Sequence, residues 1–307
     1  MNKRQIGKSD LFASEIGLGC MSIGVEEAHA VRIIDEAIDS GINYLDTADL
    51  YDQGLNEEFV GKAIKGKRQD LILATKVGNR FERGKEGWSW DPSKKHIMNA
   101  IKESLRRLQT DYIDLYQLHG GTMEDHIDET IDAFEALKQE GVIRYYGISS
   151  IRPNVIQEYV KRSSIISVMM QYSILDRRPE EQVLPLLEEN QISVLARGPV
   201  AKGFLTERSF NPSKEALFSK GYLDYSSEEL KSIVTRIRNS CDGRSLTEIG
   251  LRYILQSSTV SSVIAGASNV EQLHANVIAG SSSSLTDDEM KQIRQLTKSA
   301  GYAQHRL

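Results

Sequence analysis

The sequence predicts an α/β fold in which eight parallel strands close into a (β/α)8 barrel. Short apolar segments alternate eight times with longer segments whose apolar residues recur at helical spacing. The apolar segments do not alternate with polar residues, as expected for strands that are covered on both faces. The eight repeats occupy about 260 residues, which is the usual size of such a barrel.

The elements are predicted in chain order. Residues 4–14 should form a hairpin around the turn Gly7-Lys8-Ser9-Asp10. The eight strands are predicted at Ile16–Gly19, Asn43–Thr47, Leu71–Val77, Ile113–His119, Arg144–Ser149, Ser167–Tyr172, Ile192–Ala196 and Ser262–Ala265. The helices between them are predicted at Glu26–Ser40, Asn56–Ile64, Pro92–Leu108, Asp128–Gln139, Pro153–Arg162, Pro179–Glu189, Ser227–Asn239 and Leu246–Gln256.

Two long connections interrupt this rhythm, and two helices follow it. Residues 78–91 are predicted to be an irregular loop, and residues 198–225 a long connection. After the last strand we expect helices at Val270–Ala279 and Asp287–Ser299, the second packed outside the barrel. Because no Pro/Ser-rich linker divides the chain, residues 1–307 are expected to form one domain.

Composition argues against several classes of partner. The net charge is -5 and the pI about 5.8, so neither nucleic acid nor an anionic membrane surface is favoured as a partner. No apolar stretch is long enough to cross a bilayer, and Met1–Gln5 lacks the apolar start of a signal peptide. Cys20 and Cys241 lack metal-binding spacing. We expect a cytoplasmic protein without a metal, and its oligomeric state stays open.

Two stretches resemble nucleotide-binding motifs. Residues 17–24 contain Gly17, Gly19 and Gly24 ahead of a helix, with Asp46 at the distance of a ribose-binding acid, but the third glycine comes two positions late for a dinucleotide fingerprint. A Rossmann fold is therefore the less favoured alternative to the barrel. Residues 61–68 approximate a P-loop but carry Arg68 where a hydroxyl is needed, and they end a helix.

Four polar residues lie at or just beyond the ends of three successive predicted strands. Asp46 lies at the end of the second strand and Tyr51 in the loop beyond it, and Lys76 and His119 lie at the ends of the third and fourth. Such a set suits carbonyl reduction, because the oxygen needs a proton when hydride adds to the carbon. We expect Lys76 to lower the pKa of the Tyr51 phenol, Asp46 to hold Lys76, and an N–H of His119 to orient the carbonyl oxygen.

Five segments carry a family resemblance: Asp46–Tyr51, Ala74–Lys76, Gln117–His119, Gly147–Ser150 and Gln171–Ser173. In sequence and order they resemble the aldo-keto reductase superfamily, in particular its short bacterial members, from the hairpin to about Asn276. The resemblance implies a (β/α)8 barrel that reduces aldehydes and ketones with NADPH, without metal or flavin. It also implies that Asp46, Tyr51, Lys76 and His119 are the catalytic tetrad.

The same resemblance implies a cofactor site built from both halves of the chain. Ser149, Ser150 and Gln171 match positions that bind the nicotinamide carboxamide, and Arg197 stands where the family commonly stacks a tyrosine on the ring. Further cofactor contacts are implied for Gly19, Cys20, Met21, Asp46, Gly198, Pro199, Val200, Ala201, Lys202, Gly203, Gly266, Ala267, Ser268, Gln272 and Asn276. The stretch 198–203 matches the pyrophosphate loop, Ser268 and Gln272 the 2′-phosphate site, and Asn276 an adenine contact.

Aromatic residues of the two long loops leave two interpretations open. Trp88, Trp90, Tyr222 and Tyr225 either form an apolar pocket for a small carbonyl substrate or pack their own loops. A second functional hypothesis is a regulatory protein that binds NADPH as a redox signal, as in the potassium-channel β-subunit branch of the superfamily. The absence of a long N-terminal extension favours the enzyme.

Overall fold

The computed structural model describes residues 1–211, 218–241, 243–299 and 301–307. Its strands are β1 Lys3–Gln5, β2 Phe12–Ser14, β3 Ile16–Gly19, β4 Tyr44–Asp46, β5 Ile72–Val77, β6 Asn79–Arg80, β7 Ser89–Trp90, β8 Ile113–Leu118, β9 Ile143–Ser149, β10 Ser167–Gln171, β11 Ser193–Arg197 and β12 Val260–Gly266. Its α-helices are α1 Glu27–Asp39, α2 Leu55–Ala63, α3 Lys94–Leu108, α4 Ile127–Gln139, α5 Pro153–Arg162, α6 Val183–Glu189, α7 Ser227–Asn239, α8 Leu246–Leu255, α9 Val270–Ser281 and α10 Asp287–Leu296.

The predicted barrel is confirmed. Eight parallel strands close in the order β3-β4-β5-β8-β9-β10-β11-β12, and β12 pairs with β3 to complete the ring. The β1–β2 hairpin is antiparallel, as predicted. Several helices begin at a side-chain cap: Ser226, Ser245 and Thr286 each take part in a capping box with the glutamate three residues later. Closure leaves all eight strands with their carboxyl ends at one rim.

Two apolar layers support the barrel. Its interior is filled by Tyr44, Ile72, Leu115, Met169, Leu195 and Ile264, and hairpin residues Ile6, Leu11 and Ala13 pack into the same cluster. The larger layer lies between strands and helices. Gly17 has no room for a side chain, since a Cβ there would lie 2.8 Å from the Tyr44 ring and 2.9 Å from Ile264 Cδ1. Because Ile6, Leu11 and Ala13 pack into the interior cluster, the hairpin contributes to the core at the end opposite the rim.

Three predicted elements differ from the structure. The helix predicted at Pro179–Glu189 is a 3₁₀ turn, Arg178–Glu180, followed by α6. Pro185 explains the interruption, because proline has no N–H to donate and is tolerated only in the first turn of a helix. The loop predicted to be irregular at 78–91 contains the β6–β7 ribbon. The last helix ends at Leu296 rather than at Ser299. Just after this end, the Thr297 hydroxyl donates a 2.9 Å hydrogen bond to Ile293 O.

Within the described ranges, none of the helices combines the length and the apolar character needed to cross a bilayer.

Candidate functional site

A cleft of about 870 Å³ opens at the carboxyl ends of the barrel strands. All four predicted catalytic residues line it. The register explains their convergence: Asp46 lies opposite Gly19 on β3, and Lys76 lies opposite Gln117 on β8. His119 follows β8 directly, and its backbone N–H donates 2.7 Å to Val77 O. Distant chain segments thus meet at one rim.

Lys76 and Asp46 form a buried ion pair at the base of the cleft. Lys76 Nζ lies 2.6 Å from Asp46 Oδ2, and the two side chains are 1% and 5% exposed. The ammonium also donates to Thr47 O at 2.8 Å and to the Tyr51 hydroxyl at 3.2 Å, while Gln117 Nε2 donates to Asp46 Oδ1 at 3.3 Å. These bonds use all three Lys76 donors, so the ammonium is fixed in direction.

The pKa values of these groups depend on burial as much as on pairing. Burial raises the pKa of Asp46, although Lys76 and Gln117 oppose the shift. Burial disfavours the charged form of Lys76, yet Asp46 and Tyr51 outweigh it and the pKa of Lys76 is raised. For Tyr51 burial is again the largest cause, and the pKa of its phenol is raised despite the nearby Lys76 cation. Lys76 acts on the Tyr51 pKa in the predicted direction, but burial outweighs it, and the net shift is upward.

Tyr51 begins an irregular turn, Tyr51–Gly54, between β4 and α2. Asp52, Gln53 and Gly54 have φ values of 48°, 53° and 88°, a left-handed run that non-glycine residues rarely adopt. The Arg107 side chain packs directly beneath the turn, since a Cβ on Gly54 would lie 2.8 Å from Arg107 Cδ. The turn that carries Tyr51 therefore rests on a residue of α3.

Arg107 belongs to a second buried charge cluster, which sequence reasoning missed. Arg107 Nε lies 2.6 Å from Glu57 Oε2, and Thr75, next to Lys76 in the chain, donates to Glu57 Oε1 at 2.6 Å. Glu57 is wholly buried. Burial, followed by the Glu57 charge, raises the pKa of Asp49 well above its usual range. The cluster links the strand carrying Lys76 to the turn carrying Tyr51.

His119 faces Tyr51 across the cleft. The two rings meet edge to face with centroids 5.8 Å apart. Burial, and then the charges of Lys76 and Arg197, lower the pKa of His119 to about 3, so the imidazole is neutral near pH 7. Its buried Nδ1 has no hydrogen-bond partner among the described residues. A neutral imidazole keeps one N–H, which can be donated to an oxygen bound in the cleft.

The residues assigned to the carboxamide lie together at the ends of β9, β10 and β11. Ser149 and Ser150 line the cleft beside Gln171, and Gln171 pairs in register with Arg197. Gln171 Nε2 donates to Asp176 at 2.7 Å and to the Tyr222 hydroxyl at 3.1 Å, while Arg197 Nη1 lies 3.4 Å from Gln171 Oε1. The amide oxygen of Gln171 is thereby turned toward the cleft side that carries Arg197.

The stretch 198–203 forms a tight turn at the cleft. Gly198, Ala201, Lys202 and Gly203 all have positive φ, and within the turn Ala201 N donates to Gly198 O at 3.0 Å and Gly203 N to Val200 O at 2.9 Å. Gly198, Pro199, Val200, Lys202 and Gly203 line the cleft. Ala201 is buried and does not.

Other predicted cofactor residues lie at or beyond the edge of the cleft. Gly19, Met21 and Gly266 line it, whereas the side chains of Cys20 and Ala267 are wholly buried. Ser268 and Gln272 lie at the start of α9, where Gln272 Oε1 accepts from the Ser268 backbone and hydroxyl. Gln272 Nε2 is buried without a partner among the described residues. Asn276 is buried and donates 3.2 Å to Gly266 O.

The aromatic loop residues divide into lining and structural groups. Trp88 and Trp90 line the cleft, and Trp90 is held by a 2.9 Å bond from its Nε1 to Asp125. Tyr222 lines it as well, whereas the Tyr225 hydroxyl accepts from Lys298 N and does not line it. Lining residues that sequence reasoning did not single out mostly follow strand ends, which was the available signal: Ser22, Asn79, Gly120, Gly121, Thr122, Ile151, Arg152, Met169 and Ile264.

The described residues contain no group of three or more His, Cys, Asp or Glu side chains placed to hold a metal ion. The cleft holds a phenol bonded to Lys76, a neutral imidazole and several basic side chains.

Arg107→Met should destabilise the fold, because it leaves the Glu57 carboxylate buried without a counter-charge. We expect the free energy of unfolding in urea to fall by about 3 kcal/mol. Adding Glu57→Gln should recover more than half of that loss. The control is Arg106→Met, since Arg106 forms an exposed pair with Glu103 and should lose less than about 1 kcal/mol. A double variant no more stable than Arg107→Met would contradict the pairing.

Acid should destabilise the fold partly through His119. Its folded pKa lies near 3 and its unfolded pKa near 6.5, so the unfolded chain binds more protons between these values. Stability is therefore lost as the pH falls below about 6.5. Between pH 7 and about pH 4.5, the wild-type protein should lose about 2 kcal/mol more than His119→Gln in urea unfolding. Equal losses would show that His119 is not held neutral.

Comparison with known proteins places the chain among relatives of one kind. The family model described as "Aldo/keto reductase family" matches residues 15–298. The chain is 61% identical to the oxidoreductase YqkF of Bacillus subtilis (strain 168) over 306 residues, covering 100% of both. It is 30% identical to the NADH-specific methylglyoxal reductase of Escherichia coli (strain K12), covering 91% of this chain and 93% of that protein.

Solved structures give the same result. The holo form of aldo-keto reductase AKR11C1 from Bacillus halodurans superposes with a TM-score of 0.94 at 62% identity, covering 100% of both chains. The fold, the cleft at its rim and these similarities lead to one conclusion: the chain belongs to the aldo/keto reductase family, a family of oxidoreductases that act on small carbonyl compounds.

Proposed function

We propose that this protein reduces aldehydes or ketones to alcohols by hydride transfer from NADPH, with Tyr51 as the general acid. The observation that carries the proposal is the chain of contacts from Asp46 through Lys76 to the Tyr51 hydroxyl, at 2.6 Å and 3.2 Å, in a cleft at the barrel rim. It holds one phenol in a single direction, as a proton donor to a bound carbonyl requires.

The contact between Lys76 and the Tyr51 hydroxyl supports the acid role, because the cation counteracts the rise in the phenol pKa that burial causes. A phenol above its ordinary pKa is protonated near pH 7 and can give its proton to the oxygen as hydride reaches the carbon. The phenolate that remains lies beside the Lys76 ammonium, which stabilises its charge. Lys76 is held in turn by Asp46 and Thr47 O. In alcohol oxidation the same phenolate is the base.

His119 has a separate role in this proposal. Its neutral imidazole, 5.8 Å from the Tyr51 ring, can donate an N–H to the carbonyl oxygen and orient it toward the phenol. Neutrality suits this role, because a second cation beside Lys76 would be costly to bury. Asp46, Tyr51, Lys76 and His119 are thus the proposed catalytic residues, without a metal.

The side of the cleft lined by Gln171, Arg197 and the stretch 198–203 fits a nicotinamide dinucleotide, which supplies the hydride when bound. The amide nitrogen of Gln171 is bonded to Asp176, which leaves Oε1 as the acceptor on the cleft side. Oε1 can accept from a carboxamide bound beside Ser149 and Ser150. The Lys202 ammonium, in the turn 198–203 that borders the cleft, suits a pyrophosphate. Gly19, Met21, Arg197 and Gly266 complete this side. Cys20, Ala201 and Ala267 contribute only backbone or packing, because their side chains are buried.

The start of α9 favours NADPH over NADH in this proposal. Backbone N–H groups at a helix start suit a phosphate, and the unpartnered Gln272 Nε2 lies among them beside Ser268. His29 Nε2 lies 2.9 Å from Ser268 O, so an imidazole also borders the site. Asn276 supports the loop through Gly266 O. One relative is named as NADH-specific, so the binding of NADH has to be compared with that of NADPH.

We further propose that residues 1–307 act as one domain in the cytoplasm. The family model spans 15–298, and both cysteines are free and buried, which suits a reducing compartment.

Tyr51→Phe should bind NADPH like the wild-type protein but lose turnover by about 100-fold or more, because it removes the proton donor and little volume. Binding is followed by the fluorescence of the reduced nicotinamide, and turnover by its absorbance, with a panel of aldehydes and ketones. Near-wild-type turnover would disprove the assignment of Tyr51. Tight NADPH binding by the wild-type protein without turnover of any carbonyl would favour the redox-sensing alternative.

The wild-type protein should bind NADPH more tightly than NADH by fluorescence titration. Ser268→Arg should widen the preference by about 10-fold, because a guanidinium adds a charge-assisted bond to the 2′-phosphate. His274→Gln is the control, since His274 pairs with Glu36 at 2.8 Å and does not line the cleft. Equal affinity for the two cofactors in the wild-type protein would refute the NADPH preference, and failure to bind either would refute the proposed function.

A further inference from the structure

The cleft contains an arginine that neither the catalytic set nor the cofactor contacts use. Arg152 lies in the loop after β9, and its Nη1 donates 2.6 Å to Gly121 O in the loop after β8. Its backbone N–H is bound by Ser150 Oγ at 3.2 Å. Arg152 and Gly121 both line the cleft. The guanidinium therefore lies where the loops after two adjacent strands meet.

The cleft is rich in positive charge. Lys76, Arg152, Arg197 and Lys202 line it, whereas Asp46 is the single carboxylate among the described lining residues and is already paired with Lys76. Arg197 and Lys202 lie on the side proposed for the cofactor. Arg152 lies on the other side, among residues of the loops after β8 and β9. The positive charge of Arg152 therefore remains available for a second anionic group when Arg197 and Lys202 face the cofactor.

Nearby acids do not neutralise Arg152. Within the part of the chain that the structure describes, no carboxylate lies within ion-pair distance of its guanidinium. The acid of the adjoining loop, Asp125, is turned to other partners: it accepts from Thr122 N at 2.7 Å and from Trp90 Nε1 at 2.9 Å. Guanidinium has five N–H donors in a planar fork, and the bond to Gly121 O uses one of them.

The surroundings of Arg152 give the size and character of the group it can hold. Trp88, Trp90 and Ile151 line the cleft and offer apolar and aromatic surface, and Trp90 packs against Gly120, the neighbour of Gly121. Gly121, whose carbonyl holds the Arg152 guanidinium, follows closely after His119, the residue proposed to orient the carbonyl. A compound bound between these two groups would place its apolar body against the aromatic lining, with its carbonyl at one end.

We propose that Arg152 binds a carboxylate of the substrate, so that the preferred substrates are carbonyl compounds with an apolar body and a carboxylate at the far end. The inference rests on the proposed reductase function. A planar carboxylate matches the guanidinium fork and can accept two parallel N–H bonds. Trp88 and Trp90 pack against the apolar body of the substrate, and Arg152 fixes the direction of the substrate in the cleft.

The test compares 4-formylbenzoate with its methyl ester, which has the same ring and aldehyde but no charge. The wild-type protein should show a kcat/KM at least about 10-fold higher for the carboxylate, because a charge-assisted bond is lost in the ester. In Arg152→Gln this ratio should fall by about 10-fold or more, mainly through KM. Arg152→Lys should keep part of it, because it keeps the charge and loses the fork.

Arg162→Gln is the matched control. Arg162 pairs with Asp128 and Glu158 outside the cleft, and its replacement should leave the ratio unchanged. NADPH affinity, measured for every variant by fluorescence, separates a loss of carboxylate binding from a general disturbance of the cleft. A role of Arg152 confined to tying the two loops together would change both substrates alike and leave the ratio at its wild-type value, which would overturn the proposal.

A binding measurement decides the matter independently of turnover. Calorimetric titration of the NADPH-loaded protein with 4-(hydroxymethyl)benzoate should show binding that weakens about 10-fold or more in Arg152→Gln, whereas its methyl ester should bind weakly to both. Equal binding to both proteins would overturn the proposal. If neither aldehyde is reduced although NADPH binds, the reductase function fails for this substrate class, and the titration still reports whether Arg152 holds a carboxylate.

Discussion

The site depends on burying the Lys76–Asp46 ion pair without leaving either charge unsatisfied. Removing two charges from water costs several kcal/mol per ion, and only good geometry with additional hydrogen bonds offsets that cost. Here the contact is 2.6 Å, and Thr47 O, the Tyr51 hydroxyl and the Gln117 amide complete it. Each of these groups comes from the end of a barrel strand or the segment just beyond it. Closure of the barrel is what brings them within reach of one ammonium.

The Tyr51 turn shows how surrounding contacts stabilise a strained backbone segment. Three successive residues with positive φ place the phenol over Lys76, and such conformations persist only where the surroundings enforce them. Arg107 beneath Gly54, joined to Glu57 and through it to Thr75, supplies that support. A second buried charge pair thus connects the turn carrying Tyr51 to the strand carrying Lys76.

Charge is distributed unevenly around the cleft. His119 is held neutral by burial and by the cations near it, whereas the rim carries Arg152, Arg197 and Lys202 with little acid to offset them. Anionic groups can therefore bind at this rim without placing a charge against the neutral imidazole. Among the described lining residues, basic side chains outnumber acidic ones.

The sequence by itself determined the barrel and the four residues at its rim. Apolar strands without alternation and the placement of Asp46, Lys76 and His119 at strand ends are properties of local order, and parallel closure brings such ends together. The break before α6 was not predicted, although Pro185 carries a signal for it, because proline has no N–H. What only the tertiary structure decided depends on burial and on contacts between distant segments. The sign of the Tyr51 pKa shift, the burial of Cys20 and Ala201, the Glu57–Arg107 pair and the placement of Arg152 beside Gly121 all depend on which surfaces are removed from water and which distant groups replace it.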